Sequence, residues 1–441
     1  MLARIRRSGC PSCILIDVPP EPPAADPAPE APLPSAPIAW RRNLAALWLA
    51  EFTAILGFSF AFPFLPLFLH RELHIPNGPE LSFWAGISAG VTGLALALTS
   101  PIWGRLADRY GRKPMLVRAM IGGGVSVGLM GLSQSALQLT VLRGVQGASS
   151  GTVAAATALV ATGTPPAQLA WALGILNSAI SLGNAVGPAA GGLAGNLLGL
   201  RAIFLGGGFL LLLATVPVLL VVREAPRAVG RAPTPPTMQV LRAARAGTIG
   251  ALAVLMVGQL LLQTSYGAAQ QLVVLRFLQL VPSARDAQSL TGLTFAAAGI
   301  VTALAALSYS RVLRRSNYRV VTTAAATVMA VMLLLSALAA SPLTLIVAFV
   351  AASFASGSII PALGAMIGLE TPSVIQATIF GVSSSAVSLG FGFGPLVGGV
   401  VASAAGVQAG LVVAASIGLA LAGLLAVCAR EPLAPRRGEF L

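Results

Sequence analysis

Residues 104–114 read Gly-Arg-Leu-Ala-Asp-Arg-Tyr-Gly-Arg-Lys-Pro and lie between two long apolar segments. This stretch carries five charged side chains in eleven positions, whereas charged residues make up only 9% of the chain. Charges at this density are too costly to place in lipid. The stretch therefore predicts a loop at a water interface, with a membrane-spanning segment on either side.

The composition of the chain is that of a polytopic helical membrane protein. Hydrophobic residues make up 56% of its 441 residues, and the mean hydropathy is +0.86. A hydrocarbon core needs about 20 apolar helical residues to cross it, and apolar runs near that length recur along nearly the whole chain. The runs predict twelve spans, at residues 44–69, 81–103, 115–134, 137–162, 168–197, 202–222, 247–277, 289–309, 319–338, 342–368, 374–402 and 408–428.

The distribution of basic residues predicts the orientation of the chain. With a cytoplasmic amino terminus, 22 of the 27 basic residues fall in cytoplasmic segments and only four in outer loops and helix ends. Cytoplasmic loops of membrane proteins are enriched in Lys and Arg. Both termini are therefore expected in the cytoplasm, and the net charge of +14 needs no nucleic-acid partner.

The first 40 residues differ in kind from the rest. Residues 19–32 are a Pro/Ala tract that cannot form a packed helix, which predicts a disordered or polyproline-like tail. Cys10 and Cys13 have the spacing of redox and zinc sites but lack a second ligand pair, so we favour an inert tail. No secretory signal peptide is expected, because the apolar run at 13–18 is too short and prolines follow it.

The two halves of the chain repeat each other. Adding 207 to a residue number carries one set of residues onto another: Thr164-Pro165 onto Thr371-Pro372, Gly187-Pro188 onto Gly394-Pro395, Gly191-Gly192 onto Gly398-Gly399, and Arg112 onto Arg319. One ungapped offset from span 2 to span 5 indicates a duplicated six-helix unit, which suits alternating access about a central site. The predicted organisation is a tail at 1–40, a six-helix bundle at 41–222, a cytoplasmic linker at 223–246, a second bundle at 247–429 and a tail at 430–441.

Four segments resemble motifs of the major facilitator superfamily, and of its drug-proton antiporters in particular. Residues 104–113 are similar to the loop joining helices 2 and 3, and Pro63-x-x-Pro66 resembles the helix 1 motif of drug exporters. Residues 142–147, with Arg143, are similar to the helix 4 motif, and residues 183–192 to the antiporter motif of helix 5. The resemblance implies an all-α membrane protein of twelve helices in two pseudo-symmetric bundles, in the inner membrane of a bacterium.

The resemblance also implies an inner gate at Gly104, Asp108, Gly111, Arg112 and Lys113. Gly104 would allow close backbone packing, and Asp108 would face a helix amino terminus in the opposite bundle. Arg112 and Lys113 would bridge acidic or carbonyl groups. The alternative is a solvated turn kept inside by its positive charge. The second half has lost the Gly and the Asp, so the gate is expected to be asymmetric.

The span 5 motif comprises Gly183, Gly187, Pro188, Gly191 and Gly192. Small residues on one face permit tight helix contact, and Pro188 bends the helix because it removes a backbone donor. In the family this motif is associated with antiport and export rather than uptake. A plain packing seam is the alternative, whereas a phosphate loop is excluded because no strand precedes the segment.

Glu51 and Arg143 are the candidate proton-coupling residues. Glu51 is the only carboxylate clearly within a predicted span, and some drug exporters carry an acid at the same distance before the first proline. A carboxyl in a low-dielectric cavity can exchange a proton for a cation. Glu51 could instead reach cytoplasmic water. Arg143, implicated in proton transfer by the resemblance, needs partners at its depth in span 4, or else it snorkels to the interface.

The remaining candidates carry weaker signals. His70 and His74 have metal-like spacing but no identified further ligand, so no metal site is expected. Packing or lipid-facing aromatics are the alternative for the aromatic members of the possible cavity lining. That lining is Phe58, Gln263, Tyr266, Gln270 and Phe354.

The sequence therefore predicts a proton-coupled exporter of amphipathic drugs or other small molecules, working by alternating access. The expected partners are a small-molecule substrate, protons and the lipid bilayer. We expect no cofactor beyond the proton gradient as energy source, no enzymatic activity, and a monomer. The alternatives are a facilitator of a specific metabolite or lipid, and a membrane sensor that does not transport.

Overall fold

The computed structural model describes residues 40–165, 168–224, 247–313, 317–372 and 375–431, and all regular structure in these residues is helical. The predictions for the amino-terminal tail with Cys10 and Cys13, for most of the linker and for the carboxy-terminal tail beyond residue 431 fall outside the described residues. They stay predictions.

Each of the twelve predicted spans corresponds to one helix or to two consecutive helices. In the first half these are α1 (Trp40–Ala61), a 3-10 turn (Phe62–Phe64), α2 (Leu65–Arg71), α3 (Pro79–Tyr110), α4 (Arg112–Met130), α5 (Ala136–Ser149), α6 (Thr152–Gly163), α7 (Leu169–Leu198), α8 (Leu200–Leu213) and α9 (Thr215–Val221). In the second half they are α10 (Thr248–Leu280), α11 (Ala284–Leu313), α12 (Tyr318–Leu338), α13 (Pro342–Glu370), α14 (Gln376–Ala405) and α15 (Val407–Cys428). Within the described ranges, nine helical segments are long and apolar enough to cross a membrane.

The prediction of a loop over the whole stretch 104–114 is wrong. Helix α3 continues through residues 104–110, and α4 begins at Arg112, so Gly111 alone separates the two helices. A helix that leaves the lipid still satisfies its own backbone groups, and Leu, Ala and Arg in this stretch favour helix. Gly111 has a φ of +108°, a backbone conformation that favours glycine, and it turns the chain there.

Two helix pairs make most of the contact between the two halves of the protein. Helix α3 packs along α14, and α7 packs along α11. At Gly86 an added Cβ would lie 2.6 Å from the Cα of Gly399, and at Gly192 it would lie 3.2 Å from the Cα of Gly292. The absence of side chains at these positions is what allows the helix backbones to approach so closely.

We call these two helix contacts, α3 with α14 and α7 with α11, the glycine seams. The helices of each seam touch at one end of the molecule and stand apart at the other. We call the end that carries Arg112 and Arg319 the basic end, and the end near Asn77 the opposite end. The glycine contacts of α3 lie in its first half, toward the opposite end. Toward the basic end, Leu98 is 76% exposed and Gly104 has no neighbour within 4 Å of an added Cβ. Under the orientation predicted from the basic residues, the protein is open to the cytoplasm.

Candidate functional site

The glycines of the span 5 motif face two different helices. At Gly183 an added Cβ would lie 2.9 Å from the Cβ of Ile55, and at Gly187 it would lie 2.5 Å from the Cβ of Ser59. This stripe of small residues therefore packs α7 against α1, and Gly191, one turn further, continues it. Gly192 points instead toward α11 in the second half. One motif thus joins α7 both to its own bundle and to the opposite one.

The second half repeats this arrangement at the positions given by the offset of 207. Gly390, Gly394 and Gly398 lie against α10, whereas Gly399 lies against Gly86 on α3. Both surfaces on which the two halves meet are therefore built from the same repeated glycine pattern. Close backbone contact without interlocking side chains suits surfaces that must separate and rejoin.

The start of the predicted inner gate is open in this structure. Gly104 does not mediate close packing, and Asp108 is exposed and forms no hydrogen bond or ion pair with any described residue. The physical reason is that the two halves stand apart at the basic end. The expected contact between Asp108 and the opposite bundle is therefore not made in this conformation.

Arg112 and Lys113 bind within the first half. The guanidinium of Arg112 donates to the carbonyl of Ala158 at 2.6 Å and to the hydroxyl of Thr162 at 3.0 Å, both on α6. The ammonium of Lys113 donates to two carbonyl oxygens at the end of span 6, at 3.1 and 2.8 Å. The two cations therefore hold the beginning of α4 to α6 and to the end of span 6.

Glu224 belongs to this cluster, and the sequence analysis missed it. Its Oε1 accepts the backbone N–H of Arg112 at 2.8 Å, and its Oε2 accepts that of Lys113 at 3.0 Å. The first N–H groups of a helix have no partner within the helix, and the helix dipole favours a negative charge there. Glu224 thus caps α4 from the end of the first bundle.

The second half contains the same cap. Glu431 accepts the backbone N–H groups of Tyr318 and Arg319 at the start of α12, at 2.8 and 3.0 Å. Glu224 and Glu431 are related by the offset of 207, so the repeat was the signal that could have found both.

The pairing of Arg112 with Arg319 under that offset is wrong, because the offset is 206 at the starts of these two helices. Arg319 is the second residue of α12, as Lys113 is of α4. Arg319 also donates to the carbonyl of Ala426, as Lys113 does to the carbonyl of Leu219. The second half has one residue more between this helix start and span 11, which restores the offset of 207 there.

Glu51 is fully buried in the first half. Neither carboxyl oxygen forms a hydrogen bond with a described residue, and no other carboxylate is buried in the described part of the chain. Thr152, the first residue of α6, places its hydroxyl beside this carboxyl without reaching hydrogen-bond geometry. The alternative that Glu51 reaches cytoplasmic water is therefore wrong for this conformation.

Arg143 is also buried, with only 5% of its surface exposed, so it does not snorkel. Its Nε donates to the carbonyl of Ser88 at 3.1 Å, and its Nη1 donates to the Oε1 of Gln146 at 2.9 Å. The guanidinium lies 4.3 Å from the ring centroid of Phe62. No described carboxylate pairs with it, so its positive charge has neutral partners only.

The predicted cavity residues lie in different environments. Phe58 stacks on Phe62, at 5.6 Å between ring centroids, and thus belongs to the surroundings of Arg143. The hydroxyl of Tyr266 donates to the Oγ of Ser353 at 2.9 Å, and Tyr266 also interacts with the side chain of Gln270. These groups form a neutral polar cluster in the second half. The first half, by contrast, buries the ionisable side chains of Glu51 and Arg143.

Two of the remaining candidates are placed less favourably for a cavity. Gln263 is buried, and its Cβ would lie 2.6 Å from a Cβ added at Gly390, so it packs in the α10 and α14 contact. Phe354 is 48% exposed on the same stripe of α13 as Leu343 and Val347, which favours the lipid-facing alternative.

A ring nitrogen of His70 lies 2.9 Å from the carbonyl oxygen of Ile75. The described residues contain no group of three or more His, Cys, Asp or Glu side chains arranged to hold a metal ion.

Comparison with known proteins supports this architecture. The multidrug resistance protein MdtG of Escherichia coli strain SMS-3-5 / SECEC is 30% identical over 381 residues, which cover 86% of this chain and 93% of that protein. MdtG of Escherichia coli O17:K52:H18 (strain UMN026 / ExPEC) has the same identity and coverage.

Solved structures with the same fold are also transporters. A bacterial homologue of the human lysosomal transporter Spinster, in an inward-facing and occupied conformation, superposes with a TM-score of 0.73 at 16% identity, over 91% of this chain and all of that one. The nucleoside transporter NupG gives 0.71 at 14% identity, over 87% of this chain and 98% of that one. Residues 47–285 and 280–440 match the family described as Major Facilitator Superfamily. The chain, with its twelve helical spans in two repeated halves, therefore belongs to the Major Facilitator Superfamily.

Proposed function

We propose that this protein is a proton-coupled antiporter that exports amphipathic drugs or other amphipathic small molecules by alternating access. The observation that carries the proposal is Glu51, a carboxyl that is buried inside the helical bundle and has no partner among the described residues. The name of the MdtG relatives, which is that of a multidrug resistance protein, supports drugs as the substrate class. We place the protein in the cytoplasmic membrane of a bacterium, with both termini in the cytoplasm.

The glycine seams supply the alternating access. In the observed conformation they close the opposite end, so a substrate can enter from the basic end only. Transport then requires the two halves to part near Gly86 and Gly192 and to meet at the last turns of α3, where Asp108 lies. Two similar bundles that rock about a central site perform this exchange.

Glu51 can make a proton and a cationic substrate compete. An ionised carboxylate is costly in a low-dielectric site unless an opposite charge is near, whereas a protonated one is neutral. A bound cation supplies that opposite charge, and a proton arriving from the opposite end removes the need for it. Proton movement through the site then drives release of the cation, with about 2.3 kcal/mol per charge for each 100 mV of membrane potential.

Arg143 has a separate role in this proposal. Its neutral partners leave a positive charge in the first bundle, and such a charge favours the ionised form of an acid in the same bundle. Arg143 would therefore tune protonation without contacting the substrate. Replacing it should impair coupling for every substrate rather than for cations alone.

The test is efflux driven by a pH gradient in proteoliposomes, with one cationic and one neutral substrate. Glu51→Gln should abolish gradient-driven efflux of the cation and largely spare the neutral compound, and Arg143→Ala should impair both. Glu80→Gln, which removes an exposed acid at the start of α3, is the matched control and should behave as wild type. Full efflux of both substrates by Glu51→Gln would exclude Glu51 as the coupling site.

A facilitator for one specific metabolite or lipid is the second candidate, favoured by the neutral cluster of Tyr266, Ser353 and Gln270, which could hydrogen-bond one defined ligand. Thermal stabilisation of the purified protein by cationic, neutral and anionic compounds separates the two. Stabilisation by many unrelated amphiphiles supports the drug exporter. Stabilisation by one narrow class, without gradient-driven flux of cations, supports the facilitator.

A further inference from the structure

The fourth span is broken near its middle. Helix α5 ends at Ser149, Ser150 is extended, and Gly151 has a φ of +125°, a conformation that favours glycine. Helix α6 then restarts at Thr152. The equivalent span of the second half, α13, is a continuous helix of 29 residues, so the fold itself does not require the break.

The carbonyl side of the break is held by neighbouring helices. The indole Nε1 of Trp103 donates to the carbonyl of Ala148 at 2.6 Å, and the Nη2 of Arg118 donates to the carbonyl of Ser150 at 3.3 Å. The Arg118 guanidinium also lies 3.6 Å from the ring centroid of Trp103. Two carbonyl groups at the break, those of Ala148 and Ser150, are thus satisfied by α3 and α4.

The amino-terminal side of the break has no such cap. The residue before α6 is Gly151, which has no side chain, and the first hydrogen bond of the α6 ladder runs from the N–H of Ala155 to the carbonyl of Gly151. The N–H groups of a first helical turn have no acceptor within their helix, and they attract negative charge. Glu51 lies at this uncapped end, beside Thr152, with both carboxyl oxygens buried and unpartnered among the described residues.

Few other ionisable groups face Glu51. Helices α6, α7 and α9, which pack against α1, contain none, and α8 contains only Arg201, which pairs with Glu72 at the opposite end. Among the helices packed against α6, α4 contributes Arg118, directed at the carbonyl of Ser150, Arg112, bound further along α6, and Lys113, bound to carbonyl groups at the end of span 6. Two positive groups therefore stand at the break: the uncapped end of α6, which begins at Thr152, and the guanidinium of Arg118, whose Nη2 is bound to the carbonyl of Ser150 and whose Nε and Nη1 have no hydrogen-bond partner among the described residues.

We propose that the amino-terminal end of α6, together with the hydroxyl of Thr152, is the counter-site for the ionised form of Glu51. The inference rests on the proposed role of Glu51 as the proton-binding group. When the O–H bond of Glu51 breaks, the proton must leave the buried site, so this step takes place in a conformation in which water from the basic end reaches the carboxyl and accepts the proton. The carboxylate then accepts hydrogen bonds from the Thr152 hydroxyl and the first-turn N–H groups of α6. Thr152 and Gly151 are thus positioning residues for the proton site.

The test is substrate-induced proton release from the purified protein, followed with a pH indicator across a range of pH, with tetraphenylphosphonium as the cationic probe. Wild type should release a proton and Glu51→Gln should not. Thr152→Val removes one donor to the carboxylate at constant volume, so the ionised form is less favoured. The pH midpoint of release should therefore move upward by about one unit, a tenfold change in proton affinity.

Conservative and matched variants complete the design. Thr152→Ser keeps the hydroxyl and should restore the wild-type midpoint, and Thr157→Val, on another face of α6, should leave it unchanged. Gly151→Ala has room for its methyl group, since the nearest atom is the Nη2 of Arg118 at 3.9 Å, but it disfavours the backbone of the break. The pH midpoint of proton release should also move upward in Gly151→Ala. This variant therefore tests the counter-site independently if Thr152→Val does not fold.

The outcomes distinguish this inference from the proposed function. Continued proton release by Glu51→Gln would exclude Glu51 as the proton site and the counter-site with it. Loss of release in Glu51→Gln, with wild-type midpoints in both Thr152→Val and Gly151→Ala, would exclude the counter-site alone.

Discussion

The helix cap made by Glu224 leads to a prediction that can be worked out quantitatively. Its two carboxylate oxygens accept the N–H groups of Arg112 and Lys113 at 2.8 and 3.0 Å. Glu224→Gln keeps the size of the side chain, removes the charge, and replaces one acceptor by an NH2 group that cannot accept. A hydrogen bond to a charged group contributes about 1.5–3 kcal/mol, and we take about 2 kcal/mol because Glu224 is only half-buried.

The assay is amide hydrogen exchange of the protein in lipid nanodiscs. A loss of about 2 kcal/mol raises the local opening constant about 30-fold, so the amides of Arg112 and Lys113 should exchange about 30-fold faster in Glu224→Gln. Glu431→Gln is the matched control, because the same cap protects Tyr318 and Arg319 at the start of α12.

Each variant should affect its own helix start and leave the other unchanged. Unchanged exchange at residues 112 and 113 in Glu224→Gln would refute the cap. Equal acceleration at both helix starts in either variant would show global loosening instead of the loss of a local hydrogen bond.

Three further predictions concern topology and gating. Cysteines introduced in the linker at 224–240 should react with impermeant reagents only after permeabilisation, and a cysteine near Asn77 without it; the reverse pattern would invert the topology. Asp108→Asn should reduce transport by tenfold or more, the equivalent of one lost charge-assisted hydrogen bond, while thermal stability of the open state stays at the wild-type value. Gly86→Leu should prevent closure of the opposite end, so that a cysteine introduced between the two halves becomes accessible there to impermeant reagents, whereas Gly423→Leu, where an added Cβ would have no neighbour within 4 Å, should transport normally.

Most of the fold could be predicted from the sequence, because the bilayer imposes simple demands on a chain. A helix that crosses it needs about 20 apolar residues, and this requirement located all twelve spans. The repeat also predicts that the glycine pattern of span 5 recurs in span 11. In the structure Gly187 and Gly394 each allow close contact with the first helix of their own half. The burial of Glu51 and Arg143 could also be read from their depth within predicted spans.

The features that escaped prediction depend on contacts distant in sequence or on one backbone angle. Glu224 lies just after an apolar span, where an acid is unremarkable, and its role appears only when α4 is placed beside it. The break at Gly151 has only a weak local signal, the dipeptide Ser150-Gly151, which does not stand out because the chain contains 48 glycines and most of those in helices keep helical angles. The absence of a contact for Asp108 depends on the conformation adopted, which no sequence pattern encodes.

The two halves have the same arrangement of helices but bury different polar side chains, and the difference is greatest around α6. This half-helix meets Glu51 at its first residue, and further along it accepts two hydrogen bonds from Arg112 of the gate motif. In the second half, α13 runs unbroken and the buried groups around Tyr266 are neutral. A duplicated bundle that kept charge on both sides would desolvate two ionisable sites for a single exchange event, at a cost of several kcal/mol per unpaired charge. The charge is thus confined to the half that also contains the break, where α6 contacts both Glu51 of α1 and Arg112 at the start of α4. Under the proposed role of Glu51, a change in its protonation can act on the start of α4 through this one short helix.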